Sequence, residues 1–220
     1  LTAFENGFSP DDILSDEPIR IDDWEPQNYD RTFHGAVSLK YAFAKSLNVA
    51  TVDLATYLNL EDIIETARKL GITTDVDDEP SIILGAAEVR VIDMAAAYAA
   101  TANGGYAVFP YAVREVADTD GYQLYQYRTD SRQRVLSENA VKNINLLLRE
   151  VVLSGTGKRA GKVRNARGKT GTSQNYRDAW FIGSNDRYTA AVWVGNDDNS
   201  PMKEVGGGTV PAEIWADIMK

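Results

Sequence analysis

Gly168-Lys169-Thr170-Gly171-Thr172-Ser173 is the stretch whose reading decides the fold, together with Asp178-Ala179-Trp180-Phe181-Ile182-Gly183 just after it. Gly168 to Ser173 and Ala179 to Gly183 read as two antiparallel strands and Tyr188 to Val194 as a third, the last two joined at Asn185-Asp186. A Lys-Thr-Gly borne on a strand has three chemical uses. The ammonium supplies fixed positive charge, and the threonine hydroxyl hydrogen-bonds a carboxylate. The glycine leaves room for a substrate backbone to lie along the edge as an added strand. Gly168-Lys169-Thr170 also ends like a phosphate-binding loop, Gly-x-x-x-x-Gly-Lys-Thr. That loop needs a glycine at position 163, where the chain has Val163, and it must open a helix. The nucleotide reading fails on both counts.

Working outward, Ser137 reads as the cap of a long helix running through Val152, with Ile144, Leu147, Leu148 and Val151 on its apolar face. Tyr111 to Val116 and Tyr122 to Tyr127 alternate around Asp120-Gly121 and predict a hairpin. Val91 to Ala102 is an alanine-rich helix stopped by Asn103-Gly104-Gly105, and Glu61 to Leu70 a helix stopped by Gly71. Ser38 opens a helix whose Leu39, Ala42, Phe43 and Leu47 share a face, and a further helical stretch follows through Val52, Ala55 and Leu58. Residues 1–37 read as irregular, anchored by Trp24 and Tyr29; residues 38–105 form a mainly helical lobe. Residues 106–220 hold the hairpin, the long helix, the sheet strands and a final helix from Pro211 to Met219. Helices first and antiparallel strands later make an α+β fold.

The composition narrows the function. At 220 residues and 44% hydrophobic the chain can bury a good core, and no apolar run is long enough to span a bilayer. A net charge of −9 argues against nucleic-acid binding. Lys158, Arg159, Lys162, Arg164, Arg167 and Lys169 form a basic segment in this acidic chain, either a field for an anionic ligand or a loop balancing nearby carboxylates. With no cysteine and one histidine, His34, thiolate and multi-histidine metal sites are excluded, and no cofactor is expected. His34 lies in a loop-like stretch and reads as a packing residue. Asp75, Asp77 and Asp78 lack the glycine and terminal glutamate of a calcium loop, so residues 73–81 read as a solvated acidic loop.

Ser46-Leu47-Asn48 gains meaning from the downstream Lys-Thr-Gly. A serine acyl enzyme without histidine needs another proton route; a hydroxyl such as Ser46 can relay a proton, and an amide such as Asn48 can orient a lysine and a substrate carbonyl. With these motifs the chain resembles the transpeptidase domain of a class A (bifunctional) penicillin-binding protein. The resemblance extends through Trp24-Glu25-Pro26-Gln27-Asn28-Tyr29, Ser38 to Asn48, Leu84 to Val89, Ala97 to Gly105, Gly155-Thr156-Gly157, Val194 to Asp197 and Gly206-Gly207-Gly208 to Trp215. It implies a β-lactamase/D,D-transpeptidase-like fold, with an antiparallel sheet, flanking helices and a helical subdomain. It also implies attack on the D-Ala-D-Ala bond of a peptidoglycan stem peptide, an acyl-enzyme, and cross-linking to a neighbouring stem, with β-lactams as substrate mimics. By position, the resemblance implies Ser46 as the proton-relay serine, Asn48 as the orienting amide and Lys169 as the electrostatic lysine. It likewise implies that Thr170, Gly171 and Thr172 bind substrate, the two threonines holding its carboxylate, and that the N–H of Thr172 forms half of the oxyanion hole. The expected location is extracytoplasmic.

One part of the pattern is missing. The nucleophile motif of this family is Ser-x-x-Lys, and here it occurs as Ser200-Pro201-Met202-Lys203, after Lys-Thr-Gly, with a proline that forbids the helical turn. The expectation is a chain truncated at its N-terminus. The nucleophile serine, its lysine, two sheet strands and a membrane anchor would then belong to an upstream part of the same polypeptide, leaving the 220-residue chain inactive alone. The alternative is a nucleophile-free module that binds cell-wall peptide or a protein partner.

Overall fold

Residues 1–37 hold more structure than their prolines suggest. In the computed structural model, which describes residues 1–74, 80–128 and 133–220, a short helix α1 (Thr2–Glu5) leads to strand β1 (Ile13–Asp16). This strand pairs antiparallel with β2 (Gly35–Ser38), Asp16 facing Gly35 and Ile13 facing Ser38. The irregular reading is therefore corrected for these segments. Each strand has only four residues, too few for a period to register, and the pairing is closed by a long loop. Nor is Tyr29 a buried anchor; it is 75% exposed, while Pro26 and Asn28 beside it are buried.

The helical lobe follows the sequence more closely. Ser38 lies in extended backbone and accepts a hydrogen bond from the Tyr41 N–H at 3.2 Å, capping α2 (Leu39–Lys45). α3 (Asn48–Thr56) comes next, then α4 (Leu60–Lys69), capped by Asn59 and stopped at Gly71, whose φ is +95°. α5 (Val91–Ala102) has the predicted bounds. Residues 75–79 lie outside the described residues, and with them Asp75, Asp77 and Asp78 of the acidic loop. The hairpin forms from β3 (Glu115–Ala117) and β4 (Gln123–Gln126), shorter than predicted, with a register shift between Val116 and Ala117.

Helix α6 (Glu138–Leu153) joins the two parts of the molecule. Its Ala140, Ile144, Leu147 and Leu148 pack with Phe4, Leu14, Val37, Leu39, Ala42, Leu47 and Ala50 in the core of the helical lobe. One turn further on, Val152 enters a second core with Phe181, Val192, Trp215 and Met219. The latter residues come from an antiparallel sheet in the order β5-β6-β7 and the helix packed on it. The strands are β5 (Arg167–Thr172), β6 (Asp178–Ser184) and β7 (Thr189–Gly195), and the helix is α7 (Val210–Ile218), with Pro211 in its first turn. Trp215 is fully buried, meets Phe181 edge-on at 5.1 Å and donates its indole N–H toward the carbonyls of Gly183 and Ala190. The architecture is the expected α+β one: a helical lobe against a sheet, sharing one long helix.

Candidate active site

Ser46 caps the C-terminus of α2 in the left-handed region, at φ 58° and ψ 47°, a conformation that non-glycine residues rarely hold. The Leu47 N–H returns to the Ala42 carbonyl at 2.9 Å, and the buried Leu47 side chain pins the turn from inside. Asn48 then starts α3. This reversal places the Ser46 Oγ beside β5, where the Lys169 Nζ donates to it at 2.8 Å. The same ammonium donates to the Thr170 carbonyl at 3.0 Å and lies over the Phe43 ring, 5.7 Å from its centroid. Burial pushes Lys169 down from its ordinary 10.5 to about 8, and among the described residues no carboxylate offsets that effect. Its proton is held by a hydroxyl, a carbonyl and a ring face. That leaves a cation suited to pairing with an incoming anion.

Strand β5 lies at one edge of its sheet. The Ser173 N–H bonds the Asp178 carbonyl at 3.0 Å, so the ladder's alternation gives Gly171 and Lys169 the bonds to β6. The N–H and C=O groups of Thr170 and Thr172 are thereby turned to the outer edge, consistent with the Thr170 carbonyl accepting from Lys169. Thr172 Oγ1 accepts from the Gly207 N–H at 3.0 Å, which leaves its own proton free to donate. The room beside Gly171 serves this protein's own packing first: a Cβ there would lie 3.2 Å from the Trp180 Cβ. Asn48 stands two residues from Ser46, and its Nδ2 donates to the Gln27 carbonyl at 2.8 Å.

Three participants were not read from sequence as site residues. Thr156 Oγ1 lies 2.6 Å from Thr170 Oγ1, joining the end of α6 to β5. The Thr156 N–H also bonds the Ala44 carbonyl at 3.2 Å, and Lys45 reaches the Ser154 carbonyl at 2.9 Å. The segment 154–157 thus ties the end of α2 to the sheet. Gly155 is required there, since a Cβ would fall 2.2 Å from the Ala44 carbonyl oxygen. The signal was present in Gly155-Thr156-Gly157, but nothing in the triplet assigns it a partner. Phe43 was read only as part of an apolar face. Gln27 acts through its backbone, so its side chain gives no clue.

The remaining candidates fall outside the site. Arg159 pairs with Glu213, and Arg167 approaches Asp186 at 3.8 Å, so the balancing reading holds for these members of the basic segment. Lys169-Thr170 sits inside a strand, which removes the phosphate-loop reading. Ser200 lies in the loop after β7, where its Oγ accepts from Asn196 Nδ2 at 3.1 Å. His34 donates from Nδ1 to the buried Asp16 at 2.9 Å, a packing role. Among the described residues no cluster suits a metal ion, and no helix is long and apolar enough to cross a membrane.

A Lys-Thr-Gly edge strand bonded to the serine of a Ser-x-Asn turn agrees with the family model of the penicillin binding protein transpeptidase domain, which matches residues 1–220. The chain belongs to this transpeptidase family. Relatives of the penicillin-binding transpeptidases include penicillin-binding protein 1A of Aquifex aeolicus, 34% identical over 206 residues, covering 93% of this chain and 28% of that protein. Penicillin-binding protein 1A of Clostridium acetobutylicum is 36% identical, covering 96% of this chain and 28% of that protein. Penicillin-binding protein 1B of Vibrio cholerae is 32% identical, covering 94% and 28% respectively. The chain thus spans less than a third of the length of these relatives, whose names agree with the class A resemblance. Penicillin-binding protein 1A from Haemophilus influenzae has the same fold, with a TM-score of 0.92 at 22% identity, over 99% of this chain and 40% of that one. So does the PonA1 protein from Mycobacterium tuberculosis in complex with penicillin V, with a TM-score of 0.88 at 24% identity, over 99% and 65%.

Proposed function

We propose that residues 1–220 are part of one D,D-transpeptidase domain and form the substrate-holding wall of its active site, in a protein that cross-links peptidoglycan stem peptides through a serine acyl-enzyme. The observation that carries this reading is the 2.8 Å bond from Lys169 to Ser46, made by a cation with no carboxylate partner among the described residues. Lys169 attracts the stem peptide's terminal carboxylate, and the hydroxyls of Thr170 and Thr172 donate to it. The peptide backbone lies along the outer edge of β5, and the Thr172 N–H stabilises the oxyanion. Because Ser46 accepts from Lys169, its own proton is free to pass to the leaving amine. Asn48 orients the substrate carbonyl from the opposite wall.

The acylated serine in this reading is none of those in residues 1–220. In support, the single Ser-x-x-Lys of the chain lies on a loop, and the chain matches only 28% of the length of its Aquifex relative. The 220-residue chain alone is then inactive, and the full-length protein works on the outer face of the cytoplasmic membrane. The test compares fluorescent penicillin on full-length protein, wild type and Lys169→Ala, and on residues 1–220 alone. Covalent labelling of the wild type, slowed by about 100-fold in the variant and missing from the isolated chain, supports the reading. Equal labelling of wild type and variant removes Lys169 from the site.

A further inference from the structure

Helix α3 begins at Asn48, yet the residue that should cap it is Leu47, which has no polar side chain. The first N–H groups of a helix need acceptors, and a buried start without them is costly. Two distant side chains supply them. Asn28 Oδ1 accepts from the Val49 N–H at 3.2 Å, and Asp16 Oδ1 accepts from the Ala50 N–H at 3.2 Å. The two residues are also bonded to each other, Asn28 Nδ2 donating to both Asp16 oxygens at 3.0 and 2.8 Å. Asp16 is fully buried and Asn28 is 4% exposed. The other flank of the carboxylate is closed by His34, whose backbone N–H and ring Nδ1 each donate at 2.9 Å. The Gln27 carbonyl, next to Asn28, holds the Asn48 amide itself.

We infer that Asp16 and Asn28 are positioning residues of the transpeptidase site, which fix the start of α3 and thereby the orientation of Ser46 and Asn48. The physical need is specific. Ser46 sits in a strained left-handed conformation that persists only when its surroundings over-determine it. Leu47 anchors the turn by burial, but an apolar contact sets no direction for the amide of Asn48. The carboxylate does, because it meets the positive end of α3 and its other bonds leave it a single orientation. The loop carrying Gln27 and Asn28 is joined to the same carboxylate, so the amide of Asn48 and the helix start move as one body. His34 belongs to this arrangement as a donor to Asp16.

This inference rests on the proposed transpeptidase reading, and the test separates the two. Full-length wild type, Asn28→Ala, Asn28→Ser and Asp16→Asn would be reacted with saturating penicillin. The rate constant of acylation would be read separately from the end-point of labelling, with Leu148→Ala in the core of the helical lobe as the comparison. Misplacing Ser46 and Asn48 slows the acylation step of every folded molecule by about 10- to 100-fold while the end-point stays near wild type. A merely structural loss lowers the end-point and leaves the rate constant of the surviving molecules unchanged, as expected for Leu148→Ala. Wild-type rate constants in the Asn28 variants would overturn the inference even if Asp16→Asn fails to fold. Failure of the wild type itself to react would strike the transpeptidase reading instead.

Discussion

The Nζ of Lys169 lies 2.8 Å from the Oγ of Ser46, a bond between residues 123 positions apart that joins the two cores of the molecule. Ser46 adjoins Leu47 of the helical-lobe core, and Lys169 is on the strand paired with Phe181 of the sheet core. Helix α6 spans both and is followed by Gly155-Thr156, where Thr156 bonds to α2 on one side and to Thr170 on the other. The placement of Ser46 against Lys169 is therefore set by a covalent spine with a hydrogen-bonded joint at its end. Small changes at that joint should be felt at the site.

Gly155→Ala tests the joint. Its Cβ would fall 2.2 Å from the Ala44 carbonyl, so the end of α2 must move. The expected outcome is a loss of about 1–3 kcal/mol in urea unfolding, with slower penicillin acylation because Ser46 moves with α2. Unchanged stability would mean that the segment 154–157 does not hold α2.

The pH dependence has two opposite signs. Folded Lys169 loses its proton near 8, and the unfolded chain keeps it to 10.5. Affinity for a carboxylate-bearing ligand should therefore fall as pH rises through about 8, read from the concentration dependence of penicillin acylation. Between those two values the unfolded state binds more protons, so this residue's contribution to stability rises with pH. Lys169→Met should accordingly melt no lower than wild type at pH 7, its lost bond to Ser46 offset by removal of a half-buried charge.

Trp215 carries the sheet core. It is fully buried between α7 and the sheet, edge-on to Phe181. Trp215→Ala is expected to cost about 3–5 kcal/mol in chemical denaturation. A loss below ~1 kcal/mol would mean that the core closes over the gap.

Ser200→Ala should leave penicillin acylation at the wild-type rate, since Ser200-Pro201-Met202-Lys203 lies on the loop after β7. A large loss would move the nucleophile to this loop.

The last third of the chain was legible because its signals are local. Three short strand runs, a turn at Asn185-Asp186 and a proline in the first turn of α7 are each set within a few residues. Ser38 and Ser137 as caps were readable for the same reason. The β1–β2 pair was not, since its four-residue strands pair across a long loop. Of the site, Ser46, Asn48 and Lys169 were named from motif order, whereas Thr156 and Gln27 were missed because one needs a tertiary partner and the other uses only its backbone. Asn28 was quoted in a resembling stretch with no role, and its bond to Asp16 appears only once the chain is folded.

The central claim is that residues 1–220 hold the substrate while a serine outside them is acylated. Mapping the penicillin adduct on the full-length protein by peptide mass spectrometry tests this most directly. The account predicts one modified serine, outside residues 1–220, formed more slowly in Lys169→Ala. An adduct on Ser46, Ser200 or any other serine within residues 1–220, or no adduct at all, would contradict it.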